Sequence, residues 1–259
     1  RDFAYAVHQP NARNGGLIGL AATAIALGQN EVAHYLQDII HPVLACFGDQ
    51  DAGVRYYACE SLYNISKVAK GEILLYFNEI FDVLCKLAAD SEPSVKNGAD
   101  LLDRLIKDVV CEKATSYVSV IQQDPELDYK NATQVVYKDA NGHTMQLQQP
   151  QQPTAFSLPK FIPLLMERIS TIDPFTRVFL VSWITLLNSV PDLELVSYLP
   201  AFLGGFLTFL KDSHNDVRVL TQSALDVFLH EIRRVNEIQK LVKEQKEAAA
   251  VKQLQFEAD

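Results

Sequence analysis

An all-α solenoid of stacked helix pairs is the fold this sequence predicts, and two observations predict it. The first is a recurring frame: Asp49 lies in a polar turn six residues before Arg55, and the frame returns as Asp90 with Lys96 and as Asp212 with Arg218. The basic positions Arg55, Lys96, Arg177 and Arg218 are spaced by 41, 81 and 41 residues, and Arg13 precedes Arg55 by 42. The second is what alignment on those positions brings into line: Ile39, Ile80, Phe161 and Phe202; Val43, Leu84, Leu165 and Phe206; Ile65, Ile106, Leu187 and Phe228. Each column is apolar throughout, as a core shared between units requires. A period near 40 with two helices per unit marks a HEAT or armadillo array rather than the shorter tetratricopeptide or ankyrin repeats. About five helix pairs follow, and the chain reads as one elongated body.

Composition bounds the class. About half of the 259 residues are apolar, enough for a core. No apolar run reaches the roughly 20 residues that cross a bilayer, and the start carries no basic-then-apolar signal, so the chain reads as soluble and intracellular. Cys46, Cys59, Cys85 and Cys111 form no C-x-x-C pair, and the first three fall on apolar helix faces. They read as reduced thiols rather than a disulfide or metal framework. A net charge of −9 argues against a general nucleic-acid surface, which needs concentrated Lys and Arg. Arg1 is not an initiator methionine and eight residues are too few for a first helix, so the first unit reads as truncated.

Residues 1–110 carry units 1 to 3. A helix tail is followed by a turn at Gln9-Pro10-Asn11 and by the helix GGLIGLAATAIALG, whose Leu17, Leu20, Ala24 and Leu27 form a helical stripe. Asn14-Gly15-Gly16 is not a phosphate loop, because no strand precedes it and no Lys-Ser/Thr follows. In the next helix Pro42 removes one backbone hydrogen bond and is expected to bend the axis. Tyr35, Tyr76 and Tyr198 share a column and read as amphipathic wedges rather than catalytic acids.

The aspartates have two expected tasks. Asp49, Asp90 and Asp212 close first helices, where a short carboxylate hydrogen-bonds the turn backbone. Paired with Arg55, Lys96, Arg177 and Arg218, of their own or the adjoining unit, they would form a ladder that fixes the stagger between units. Unit 4 departs from the pattern with Thr171, and Asp173 is close enough to stand in.

From Cys111 to Ala155 the helical stripe is lost. Residues 111–155 read as a polar insertion, with a degenerate helix pair as the alternative that Pro125, Pro150 and Pro153 disfavour. Alternating runs on either side of Asp139-Ala140-Asn141-Gly142 signal a β-hairpin. The segment is either a partner-binding loop or a tolerated expansion, since loop entropy grows only logarithmically with length. The sequons at Asn64 and Asn131 read as chance matches. Residues 156–235 restore the stripe as units 4 and 5, with Trp183 in a core register and Gly204-Gly205 permitting close packing. Residues 236–259 read as a charged helical extension or the start of a truncated unit.

No H-E-x-x-H, G-x-S-x-G or nucleotide loop occurs. His34 and His41 share a helix face but read as solvated or capping residues rather than metal ligands. No catalytic residue, metal or cofactor is assigned. A repeat scaffold of this kind binds proteins on its helix faces. The best candidates are outward positions of the second helices, Tyr56, Glu60, Tyr63, Lys67, Asp103, Arg104 and Lys107, because Tyr and Arg often anchor interfaces.

Resemblance extends the reading. Gly15 to Gly28, Arg55 to Ile65, Lys86 to Asp90, Leu101 to Asp108 and Phe161 to Leu165 resemble the vacuole-morphology HEAT-repeat scaffold family, also called the ArPIKfyve family. The resemblance covers residues 10–110 and 156–235. It implies a non-catalytic scaffold binding two enzymes: the FYVE-type kinase that makes phosphatidylinositol 3,5-bisphosphate and the Sac-type phosphatase that removes its 5-phosphate. It further implies a cytoplasmic protein, peripheral on endosomal or vacuolar membranes through its partners, and homo-oligomeric at full length. The 111–155 insertion departs from the family, and the C-terminal part associated with self-assembly and phosphatase binding is not in this sequence. Kinase engagement is then the expected activity. Competing classes are a transport receptor or protein-phosphatase scaffold of the same fold, and a direct membrane-surface binder.

Overall fold

The computed structural model describes residues 2–6, 9–122, 136–138, 144–146 and 154–256. Eight α-helices occur among them: α1 (Pro10–Ala45), α2 (Ala52–Ala69), α3 (Phe77–Leu87), α4 (Pro93–Lys113), α5 (Leu158–Arg168), α6 (Pro174–Ser189), α7 (Leu199–Thr208) and α8 (Asn215–Phe256). Short 3-10 turns join several of them. The chain divides into two compact units, Arg1–Arg168 and Ile169–Asp259. The fold is all-α and of the helical-repeat class, and every residue of the three apolar columns is buried.

Local chemistry explains the helix limits. Pro10 opens α1, where its missing N–H costs nothing, so the expected turn at Gln9-Pro10-Asn11 is already the helix start. Within α1 the one non-helical residue is Gly28, with φ 70° and ψ 177°. That backbone region favours glycine, and it separates residues 10–27 from 29–45. The two helices read from the sequence thus part at Gly28, and Pro42, where a bend was expected, sits buried in helical geometry. Asp51 caps α2 by accepting from Val54 N at 3.0 Å, and Asp173 caps α6 by accepting from Thr176 N at 2.9 Å.

In unit 1 the second helices stand side by side. Gly98 permits the contact of α4 with α2, since a Cβ there would lie 3.1 Å from Cys59 Cβ. Val95, Ala99, Leu102, Ile106 and Val110 make the buried stripe of α4. Phe77 and Phe81 of α3 meet Phe161 of α5 edge-on, with centroids 5.2 and 4.7 Å apart, and Arg168 is hydrogen-bonded to Asp82.

The polar segment after α4 is tied down at its root. Glu72, almost wholly buried, accepts from Tyr117 Oη at 2.9 Å, Ser119 Oγ at 2.8 Å and Val120 N at 2.6 Å. Burial and the Glu72 carboxylate push the Tyr117 phenol up to about 12. Tyr117 O accepts from Ala155 N at 2.8 Å, closing the stem, and a Cβ on Gly71 would overlap the Tyr117 ring. Between these roots Val136–Lys138 (β1) and Thr144–Gln146 (β2) pair antiparallel, Tyr137 opposite Met145. The Asp139 to Gly142 turn, Asn131 and the insertion prolines Pro125, Pro150 and Pro153 lie outside the described residues.

In unit 2, Trp183 is fully buried beside Leu180, Ile184 and Leu187 on α6. Gly205 lies against Ile169, where a Cβ would clash, whereas Gly204 faces open space. Val217, Thr221, Ala224 and Phe228 bury one face of α8. The helix then runs unbroken to Phe256, so residues 236–256 prolong α8 rather than open a separate element.

One face of α4 differs from its counterpart in α1, α2 and α6. Four and seven positions after the ladder cation, α1, α2 and α6 bury Leu17 and Leu20, Cys59 and Leu62, Val181 and Ile184. In α4 those positions are Asp100 and Asp103, followed by Lys107. α4 thus carries charged side chains at positions where α1, α2 and α6 bury apolar ones.

Candidate functional site: the ladder and the outward row of second helices

Arg55 and Arg177 each have two duties. Arg55 Nη1 donates to the carbonyls of Asp49 and Gln50 in its own turn, while Nε and Nη2 reach forward to Asp90 Oδ2 and Oδ1 at 2.8 and 3.0 Å. Arg177 repeats this in unit 2, donating to Thr171 O and to the Asp212 carboxylate. Arg13 extends the pattern upstream, with Nη2 2.9 Å from Asp49 Oδ1 and Nε 2.8 Å from Oδ2. The forward partner is 36 residues on for Arg13 and 35 for Arg55 and Arg177. Arg218 bonds back to Asp212 O, Ser213 O and Asn215 Oδ1. Lys96 starts α4, and its charge contributes to holding Asp90 ionised.

The aspartates also hold their turns. Asp49, Asp90 and Asp212 accept at Oδ1 from the backbone N–H of Asp51, Glu92 and His214, at 2.8, 2.9 and 2.8 Å. Thr171 Oγ1 makes the same turn contact to Asp173 N at 3.3 Å. Asp173 therefore does not stand in for the missing aspartate: it is the helix cap, the counterpart of Asp51. The hydroxyl supplies the turn bond but no charge.

Asp90 and Asp212 make the fold acid-sensitive in a defined window. The His214 backbone N–H and the Arg177 guanidinium hold Asp212 at about 2. Burial works against ionisation of Asp90, but Arg55 and the Glu92 N–H outweigh it and keep its pKa below the usual value. An unfolded aspartate titrates near about 3.9, so protons bind the unfolded chain more tightly than the folded one. The stabilisation is complete above about pH 4 and is lost as pH falls towards about 2. Acid titration of the helical signal should show this loss, and Asp212→Asn should shrink it; an unchanged profile in the variant would remove Asp212 as a source.

The proposed protein-binding positions separate into two groups. Tyr56, Glu60, Lys67 and Arg104 are exposed, and Tyr63 is half-buried with Lys67 Nζ 5.4 Å from its ring centroid. Asp103 and Lys107 are not outward positions. Their side chains are 14% and 19% exposed and pair with each other at 2.6 Å, because they lie on the face of α4 that corresponds to the stacking face of α2. The sequence reading missed three exposed apolar residues on these helices, Ile18 and Ile25 of α1 and Leu101 of α4. Their signal was present: each sits in register with a residue taken as outward-facing, Ile18 and Leu101 with Glu60 and Ile25 with Lys67.

His34 and His41 are exposed, and His41 packs edge-on against Tyr76 with its Nδ1 2.7 Å from Gln37 O. Among the described residues no group of His, Cys, Asp or Glu is placed to hold a metal, and no helix is long and apolar enough to cross a membrane. Cys46, Cys59 and Cys85 are buried thiols, the last two pushed up to about 12 by burial, while Cys111 is exposed.

Helix pairs stitched by arginine–aspartate rungs define a protein of the HEAT and armadillo class. Residues 11–108 match the family described as "Vacuolar 14 Fab1-binding region". "Vacuole morphology and inheritance protein 14" of Saccharomyces cerevisiae is 58% identical over 248 residues, covering 94% of this chain and 27% of that protein. "Protein VAC14 homolog" of Schizosaccharomyces pombe is 51% identical over 92% of this chain and 29% of its own length, and that of Arabidopsis thaliana 44% over 87% and 25%. The chain belongs to the Vac14 family and spans about a quarter of the length of these relatives. A designed armadillo repeat protein in complex with the peptide (KR)4 aligns with 87% of this chain and 80% of its own, at 15% identity and a TM-score of 0.40. That likeness is too distant to bear on function.

Proposed function

We propose that this chain is a non-catalytic docking platform for the FYVE-type phosphoinositide kinase, and that the longer protein scaffolds and regulates that kinase. The observation that carries this reading is the match of residues 11–108 to a Fab1-binding region. Those residues run from the first turn of α1 to the later turns of α4, and so take in the helices joined by the Arg13–Asp49 and Arg55–Asp90 rungs. Rungs of this kind hold a multi-helix surface in one geometry before a partner arrives, which lowers the ordering cost of binding. Tyr56, Glu60, Tyr63, Lys67 and Arg104 are the contact positions we assign, and we assign Asp103 and Lys107 a supporting role as an intrahelical pair.

The resemblance to the vacuole-morphology scaffolds supports the wider setting. There the kinase works beside a Sac-type phosphatase on vacuolar and endosomal membranes, the scaffold is peripheral and reaches the lipid through its partners, and self-assembly belongs to the longer protein. Co-purification tests the central claim: the chain should retain the FYVE-type kinase through repeated washing, without phosphatase. Failure to retain kinase, with the helical signal intact, would favour a HEAT-type adaptor of another class.

A further inference from the structure

The second helices of unit 1 present one row of positions outward. Five residues after the ladder cation stand Ile18, Glu60 and Leu101; twelve after it stand Ile25, Lys67 and Asp108, and all six are exposed. Such positions are ordinarily polar, as Glu60, Lys67 and Asp108 are. Ile18, Ile25 and Leu101 are instead 52, 56 and 56% exposed, and Tyr56 adds an aromatic ring at 38%. No charged residue occurs from Asn14 to Gly28, so a partner covering this part of α1 desolvates no ionised group there. Ile18 and Ile25 are seven residues apart, about 10 Å along a helix, a spacing that two apolar side chains of a partner helix can match.

The row also has a charge character. Glu60 and Lys67 on α2, and Arg104 and Asp108 on α4, mix both signs. A lipid surface rich in anionic headgroups is recognised by clustered Lys and Arg, which this row lacks. A protein segment with an apolar centre and charges of both signs at its edges fits it. The limits of the Fab1-binding match, 11 and 108, bracket all the residues of this row.

We propose that this row is the seat of the kinase, with Ile18, Ile25 and Leu101 as its apolar anchors, Tyr56 between them, and Glu60, Lys67, Arg104 and Asp108 as its polar rim. The proposal rests on the kinase-docking reading above and goes beyond it by fixing the face and the chemistry of the bound segment: apolar side chains one and two helical turns apart, flanked by both charges. Fully desolvated apolar anchors at an interface centre dominate affinity, while rim charges act mainly on association rate and salt dependence.

The test uses the whole 259-residue chain and the purified FYVE-type kinase. The variants are Ile18→Glu with Ile25→Glu, and separately Leu101→Glu. All three sites are exposed and glutamate is a good helix former, so the thermal unfolding midpoint should hold. Each variant is expected to bind about ten-fold or more weakly, whereas Tyr35→Glu, on the neighbouring first helix, should bind as the unmodified chain does. Wild-type affinity in both anchor variants overturns the assignment, as does an equal loss in Tyr35→Glu. Sedimentation with phosphatidylcholine–phosphatidylserine vesicles is run in parallel. If the anchor variants lose vesicle binding but keep kinase binding, the face meets lipid and the proposal fails. If the unmodified chain does not bind kinase at all, the docking reading itself fails, which is a different result.

Discussion

Phe161→Ala should lower the stability of unit 1 by about 3 to 5 kcal/mol, the usual range for emptying a buried phenylalanine site. Phe161 is fully buried, and its ring lies edge-on to Phe77 and Phe81 with Phe156 at 6.5 Å. It joins α5 to α3 across the insertion. The cavity is walled by three rings, Phe77 and Phe81 one turn apart on α3 and Phe156 just before α5, so collapse to fill it is restricted. Denaturant unfolding followed by the helical circular-dichroism signal measures the change. Met166→Ala on the same helix, at a half-exposed site, should cost less than about 1 kcal/mol. A Phe161 loss no larger than the Met166 one would mean that α5 is not held on α3 by this cluster.

The repeat was legible because two kinds of information recur together. A period of about 41 in the basic positions coincides with apolar columns, and helix pairs that stack must bury those columns. Ile39, Ile80, Phe161 and Phe202 occupy one place in successive units and are all buried. The separation inside α1 was legible: the apolar stripe that ends at Gly28 and the one that begins at Val32 read as two helices, and the positive φ of Gly28 is where they part. The bend expected at Pro42 was misplaced for a local reason, since Pro42 removes a donor yet keeps helical dihedrals. Asp173 was misread for a similar reason: a carboxylate two residues past the expected place serves either as turn acceptor or as helix cap, and spacing alone does not choose.

The long-range polar contacts of Glu72, unlike those of the ladder, were not legible. Glu72 lies in a 3-10 turn with nothing around it to announce a partner, and Tyr117 and Ser119 lie 45 and 47 residues further on. Three neutral donors on one buried carboxylate satisfy it without a cation, so no charge pattern betrays the contact. The outward row of second helices was half legible. Positions near Arg55 were chosen for their polar and aromatic character, which favoured Tyr56 and Glu60 and passed over Ile18 and Leu101. An isolated apolar residue in sequence does not reveal which face it occupies until the register of its own helix is applied. That register also moves Asp103 and Lys107 off the outward row.

Asp90→Ala is the second large effect expected, at about 3 kcal/mol. The Arg55–Asp90 pair is nearly enclosed, with side-chain exposures of 14% and 6%. Removing one member of such a pair leaves the other charge poorly solvated, at a cost of about 3 to 5 kcal/mol when burial is complete. Arg55 retains some water and its bonds to Asp49 O and Gln50 O, which places the value at the lower end. Asp90→Asn keeps Oδ1 as acceptor for the Glu92 N–H and Arg55 Nη2, but it loses the charge and replaces the Oδ2 acceptor of Arg55 Nε with an NH2 donor. It should cost about half as much. The difference between the two variants then measures what Oδ1 contributes, the turn contact together with the Arg55 Nη2 bond, and the asparagine loss measures the charge and the Nε bond. A double-mutant cycle of Arg55→Ala with Asp90→Ala should show coupling above about 1 kcal/mol. Strict additivity would leave the rung as a bystander, and the registry between α2 and α4 would then have to come from apolar packing at Gly98 and Cys59 alone.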